Sequence, residues 1–173
     1  MSKDLGPVCQ NGYIVKDIET AINEWLKLGV GPWFYVENAM LDNFKYKGQP
    51  YNIEMKVALA NSGDLQIELI QQTNDVPSMY HDFLNSGREG LQHIAYWTEN
   101  YDEMYQHLLS QGLEVVHEGQ IGGPQGRMAY FDAEHLIGTA LEISELAGSK
   151  KQIFEYIKKA SIGWNGSKPI RKL

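Results

Sequence analysis

The sequence predicts an α+β protein of two βαβββ modules in tandem, followed by an extra helix and tail. Three observations carry this expectation. Residues 10–30 register without a gap on residues 93–113, pairing Tyr13 with Tyr96, Asp17 with Asn100 and Gly29 with Gly112, as one supersecondary unit used twice would. The apolar helix positions Ile18, Ala21, Ile22, Trp25 and Leu26 fall on Tyr101, Met104, Tyr105, Leu108 and Leu109. Each half then carries a short strand with a carboxylate among aliphatic residues, Glu68 in IELI and Glu142 in ALEIS.

The first module spans about residues 7–72. Residues 7–15 alternate as a strand does, and Asp17 is placed to cap a helix running to about Leu28, which Gly29 ends. A second strand follows Pro32, and the polar, turn-rich residues 41–52 read as a loop. Ile53, Met55, Val57 and Leu59 alternate with Glu54, Lys56 and Ala58, the period of a half-buried strand. NSGD is a hairpin turn into the fourth strand, LQIELI. The connector, residues 73–89, holds a short helix MYHDFLN capped by Ser78. The second module, about residues 90–146, repeats the order: strand 90–97, helix 100–111, then strands 113–120, 127–132 and 139–144. These modules make a first domain of residues 1–148. Residues 149–173 form a basic amphipathic helix, with Ile153, Phe154 and Ile157 on one side, and an irregular tail containing Trp164.

Composition bounds the function classes. With 43% hydrophobic and 21% charged residues the chain reads as globular. No apolar run approaches the roughly 20 residues that span a bilayer, and MSKDLGPVCQ lacks a signal peptide's apolar stretch. Cys9 alone cannot form an intrachain disulfide. A cytoplasmic protein without membrane partners is expected. The net charge of −7 is uneven: residues 149–173 hold seven Lys/Arg and one acid (+6), so the remainder carries −13. An acidic body argues against nucleic acid, whose phosphates need clustered cations. The basic tail is suited to docking on the acidic body or on a second copy in a homodimer, and equally to remaining solvated.

Strand alternation decides where the polar side chains point. Ile67 and Leu69 belong under the first helix, and Leu141 and Ile143 under the second. Glu68 and Glu142 then face the opposite, concave side, as do Gln10 with Gly12 and His93 with Ala95 and Trp97. If the halves pair about a pseudo-twofold axis, Gln10, Glu68, His93 and Glu142 converge in one cup. Two carboxylates in a partly apolar cavity repel and need a cation, a basic partner or a proton. No Lys or Arg lies on these strands, while Arg88 and Arg127 stand in loops within reach. A divalent metal between His93 and the two glutamates satisfies the requirement. A solvated sheet face is the alternative for either glutamate alone.

QNGYIVKDIETAI, GLQHIAYWT and GTALEISEL resemble the opening strand of each module and the closing strand of the vicinal-oxygen-chelate superfamily. That group includes glyoxalases, bleomycin-resistance proteins, methylmalonyl-CoA epimerases and extradiol dioxygenases. The resemblance covers about residues 7–146 and is nearest to the epimerase and glyoxalase-like branch. It implies an open, cup-shaped mixed β-sheet barrel around a divalent metal, with ligands falling on Gln10, Glu68, His93 and Glu142. Gln10 departs from the usual His, and a neutral amide oxygen binds more weakly than imidazole. The donor set suits Mn²⁺, Co²⁺, Mg²⁺, Fe²⁺, Ni²⁺ or Zn²⁺. Extradiol dioxygenases use two His and one Glu on iron, so that chemistry is not expected here.

The resemblance further implies an isomerase, epimerase or lyase removing a proton next to a carbonyl of a small substrate. Glu68 and Glu142 are the candidate bases, since burial raises a carboxylate's proton affinity. Trp33, Phe34, Tyr35, Trp97 and Tyr130 are candidates for an aromatic wall suiting an apolar or aromatic substrate, although for any one of them core packing is the more usual role. Arg127 and His135 are rim candidates; His81 and His107 read as surface residues, and His117 as lying near a strand end or loop. IGGPQG lacks the ending of a phosphate loop. A non-catalytic protein that sequesters a drug or metabolite is the alternative function, and a metal-free catalyst is a third.

Overall fold

The computed structural model describes residues 4–173, so the first three residues of the expected first domain lie outside the described residues. The first half contains β1 (Gln10–Ile14), α1 (Ile18–Lys27), β2 (Trp33–Met40), β3 (Asp42–Tyr46), β4 (Gln49–Pro50), β5 (Glu54–Ser62) and β6 (Leu65–Gln72). A connecting helix α2 (Met79–Asn85) leads to β7 (Gly90–Thr98), α3 (Tyr101–Ser110), β8 (Val115–Gln120), β9 (Arg127–Phe131), α4 (Glu134–Ile137) and β10 (Ala140–Glu145). The chain ends in α5 (Gly148–Ser161) and β11 (Ile170–Lys172). The strands form one mixed 11-stranded sheet in the order β11-β2-β5-β6-β1-β7-β10-β9-β8-β3-β4. The α+β class is present, as is the tandem βαβββ order, with the β3–β4 hairpin inserted in the first half and α4 in the second.

Local chemistry starts and stops the helices as the sequence suggests. Asp17 accepts a hydrogen bond from the Thr20 amide at 2.9 Å, and Ser78 caps α2 by accepting from the His81 amide at 2.9 Å. Gly29 and Gly112 follow α1 and α3 with φ of 81° and 83°, the left-handed region that a helix-ending glycine supplies. Asn100 differs from expectation: its side chain makes no cap bond, and its own amide donates to Thr98 Oγ1 instead.

Two helices cover one face of the sheet. Ile18 and Ile22 of α1 pack on Ala58, Ala60, Ile67 and Leu69. Tyr101 and Leu108 of α3 pack on Ala129, Phe131, Leu141 and Ile143. Each fully buried aliphatic side chain of this kind contributes about 1.5–3 kcal/mol. The concave face is a separate apolar cluster that includes Phe34, Met55, Val57, Leu59, Ile70, Met128 and Tyr130, with Ile157 of α5 pressed against it.

The register puts the repeat's symmetry axis between β1 and β7. These strands pair antiparallel at the sheet centre, with Gly12 opposite His93 and Gln10 opposite Ala95. On the outer sides, β1 runs parallel to β6 with Gly12 beside Glu68, and β7 runs parallel to β10 with Ala95 beside Glu142. Gln10 and His93, like Glu68 and Glu142, thus occupy equivalent places in the two halves.

Three segments depart from the sequence reading. Residues 41–52 are not a loop: β3 and β4 form a hairpin that pairs with β8 of the second half. Phe44 and Tyr46 alternate into the concave core, and Lys47 and Gly48 both take positive φ, 48° and 75°, as a tight hairpin turn demands. Residues 134–137 form the short helix α4. The tail is also not wholly irregular, because β11 adds to the free edge of β2. The basic segment docks on its own acidic body through Lys151–Glu99 at 2.5 Å, Lys158–Asp64 at 2.8 Å and Lys172–Glu37 at 3.8 Å. Trp164 closes over Gly31, where an added Cβ would stand 2.8 Å from its ring.

Candidate metal centre and its cavity

Four adjacent central strands bring Gln10, Glu68, His93 and Glu142 to the concave face. Ligand atoms of Glu68, His93 and Glu142 all lie within 4.8 Å of one another. His93 Nε2 is 3.4 Å from Glu68 Oε2 and 3.3 Å from Glu142 Oε2. The His93 side chain is 0% exposed, Glu142 4% and Glu68 15%, so the cluster is sealed on the sheet side and opens past Glu68. On its other ring nitrogen, His93 Nδ1 donates to the Gln92 amide oxygen at 2.8 Å. This turns Nε2 toward the two carboxylates, an arrangement that needs a shared cation or a proton. His93 Nε2 and Glu142 Oε2 are buried without a hydrogen-bond partner. Those orphaned atoms, with the Glu68 carboxylate beside them, make one nitrogen and two carboxylate donors that fit a divalent ion.

Gly12 makes the arrangement sterically feasible. A Cβ on that residue would sit 1.8 Å from His93 Cε1 and 2.0 Å from Nε2, so the imidazole occupies the space a side chain would take. Tyr130 holds the ring's flank edge-on at 4.9 Å, and the Tyr80 hydroxyl donates to that of Tyr130 at 3.0 Å. His117 lies mid-strand on β8, in edge contact with Phe44, Tyr80 and Tyr130, rather than near a strand end or loop. Burial pushes its pKa down to about 3, so it is a neutral packing group. Burial pushes the Glu142 carboxyl up, with His93 opposing and Glu68 adding to the rise.

The cluster opens into a cavity of about 320 Å³ walled by Val57, Leu59, Ile70 and Met128 and closed by Ile153 and Phe154 of α5. Gln10, Glu68, Tyr130 and Glu142 line it. Gln10 is partly committed, since its Nε2 donates to Gln66 Oε1 at 2.8 Å. Trp97 lies on the same side, its ring 4.9 Å from Phe154. Phe34 also points to the concave side but is buried beneath Tyr156 and Arg171, outside the cavity lining.

The other sequence-named candidates are elsewhere. Trp33 and Tyr35 alternate to the α1 side of the sheet, and Trp33 Nε1 donates to the Val30 carbonyl at 3.0 Å. Arg127 stacks on Tyr101 of α3 and is bound to Glu145 at 2.8 Å and Asp102 at 2.7 Å. Arg88 is paired with Glu134, so neither arginine supplies the cup's cation. His135 sits on α4, 69% exposed and 4.0 Å from Asp132. The basic group in the cavity is instead Lys150, the third residue of α5. Nothing in strand periodicity pointed to it, because it arrives from a segment without a counterpart in the first half.

Residues 9–131 match the model of the glyoxalase/bleomycin resistance protein/dioxygenase superfamily, and the chain belongs to that superfamily. No curated protein matches it significantly. Among solved structures, it resembles methylmalonyl-CoA epimerase from Mycobacterium tuberculosis at 21% identity and TM-score 0.61, over 88% of this chain and 96% of that one. A hypothetical protein from Bacillus halodurans follows at 18% identity and TM-score 0.58, over 82% and 95%. A Streptomyces coelicolor methylmalonyl-CoA epimerase variant, solved with 2-nitronate-propionyl-CoA, has 17% identity and TM-score 0.52, over 81% and 94%. At these identities the likeness concerns the fold.

Proposed function

We propose that the protein is a divalent-metal-dependent isomerase or epimerase that moves a proton next to a carbonyl of a small, largely apolar substrate. The observation that carries this reading is the buried convergence of His93 Nε2 with the Glu68 and Glu142 carboxylates at the floor of an apolar cavity. Glu68, His93 and Glu142 would hold the ion, with Gln10 at the edge of the set. Bound there, a divalent ion supplies Lewis acidity, which lowers the barrier to removing a proton beside a carbonyl.

The chain's own groups do the rest. Gln92 fixes the orientation of the His93 ring through its Nδ1. The walls of Val57, Leu59, Ile70 and Met128 exclude water, which strengthens every charge interaction inside. Both glutamates face the cavity, so either is placed to accept the proton. The fold shared with methylmalonyl-CoA epimerases supports epimerisation over ring cleavage, as does a single His in the donor set.

Metal analysis of the purified protein tests the centre. About one equivalent of metal is expected in the wild type, with loss in Glu68→Gln and His93→Ala; metal-free protein, or unchanged content in both variants, would overturn it. Solvent-deuterium exchange into bound 2-oxo acids and acyl thioesters tests the chemistry. Glu142→Gln should slow that exchange about 10²–10⁴-fold. Tight binding of every candidate without exchange would favour sequestration instead.

A further inference from the structure

Lys150 is a basic cavity-lining side chain to which the metal centre gives no role, and its placement is physically unfavourable. It is 6% exposed and stands in the first turn of α5, where the helix dipole disfavours a cation. That turn contains no acidic residue, and its N-cap, Ala147, makes no side-chain bond. Among the described residues no carboxylate lies within ion-pair distance of its Nζ. Its one hydrogen bond is donated to Ser144 Oγ at 2.5 Å, and the Phe154 ring lies 6.0 Å away. Ser144 is itself 2% exposed and lines the same cavity. An ammonium offers three donors, so a buried one with a single partner keeps capacity for an acceptor.

Charge balance indicates which acceptor. This step rests on the metal reading: a divalent ion neutralises Glu68 and Glu142, a ligating His93 is neutral, and Lys150 then remains the uncompensated charge in the cavity. A buried charge without a partner costs several kcal/mol. A ligand bearing one negative charge removes that penalty; a phosphate dianion would exceed it. The surrounding Met128, Ile153 and Phe154 match an apolar body rather than a polar one.

We infer that Lys150 and Ser144 form a carboxylate-binding subsite, so that the ligand is an apolar monocarboxylate held at its acid end by α5 and at its carbonyl end by the metal cluster. The C-terminal helix is then a specificity element, selecting anionic ligands over neutral ones of the same shape.

Calorimetric titration of the full chain with 4-oxo-4-phenylbutanoate and with 4-oxo-4-phenylbutanamide reads this directly, with and without added Mn²⁺. The expected result is that the manganese-loaded wild type binds the acid about 10- to 100-fold more tightly than the amide, the range for a buried charge-assisted hydrogen bond. Lys150→Met should abolish the preference, and Lys150→Arg should retain most of it. Equal binding of acid and amide by the wild type overturns the inference without any variant. A preference that persists in folded Lys150→Met, checked by thermal unfolding, overturns it too. Manganese content measured on the same samples separates the two readings. Metal bound with no acid preference defeats the subsite alone, whereas a Lys150-dependent preference in protein that takes up no added manganese defeats the metal centre alone.

Discussion

At the scale of single residues, the site depends on side chains that are absent as much as on those present. Gly12 leaves the volume that His93 fills, and this requirement is tertiary, since the two residues meet across β1 and β7. Gly12→Ala must push the imidazole off the glutamates. Loss of stoichiometric metal with retained circular dichroism is expected, and retained metal would show that the ring can relocate. His117 supports the same ring system from behind without titrating. Its folded pKa, about 3, lies below its ordinary 6.5, so the unfolded chain binds the extra proton between those values. Its stabilising contribution is full above pH 6.5 and is lost as pH falls toward 3. His117→Phe should recover on the order of 2–3 kcal/mol relative to wild type at pH 4.5, from two pH units at 1.36 kcal/mol each. Urea unfolding at pH 7 and 4.5 reads the difference, and parallel losses in both proteins would refute it.

At the scale of elements, the segment outside the repeat shapes the cavity. α5 seals the concave face with Ile157, which is 0% exposed, and brings Lys150 and Phe154 over the mouth. Ile157→Ala should cost about 2–5 kcal/mol by the usual price of a core truncation. Chemical denaturation measures this, and a loss under 1 kcal/mol would mean that the helix is only loosely seated. The hairpin of β3 and β4 does comparable work on the opposite edge, where Phe44 and Tyr46 complete the aromatic cluster around His117. Its alternation was legible in FKY, but Lys, Asn, Asp and Gly around those aromatics gave the segment the composition of a loop. Composition was the wrong guide because an edge hairpin buries only one face and needs turn residues at its tip.

At the scale of the whole molecule, the two halves meet through β1–β7 and β3–β8 pairing, and the candidate centre lies between them. Binding of a ligand to the folded state alone stabilises by mass action, about 2.7 kcal/mol at a concentration 100 times the dissociation constant. For a chain of this length that corresponds to a rise of roughly 5–10 °C in Tm. Manganese should produce such a rise in the wild type and little in Glu68→Gln. Equal shifts in both proteins would assign the effect to surface sites.

The linear sequence was sufficient to determine the repeat, the helix starts at Asp17 and Ser78, the face of every central strand, and the concave placement of Gln10, Glu68, His93 and Glu142. All of these follow from local periodicity and short-range capping, and side-chain alternation allows only one assignment once the helix side is known. Packing between distant segments decided the remainder. It turned Trp33 and Tyr35 to the far face, tied Arg127 to Glu145 and Asp102, and left His135 in solvent. It also delivered Lys150 to the cavity from a helix that the repeat does not contain. Periodicity reports which face a residue occupies, but only the folded chain decides which distant segment covers that face, because that choice depends on shape and charge brought together across the whole sheet.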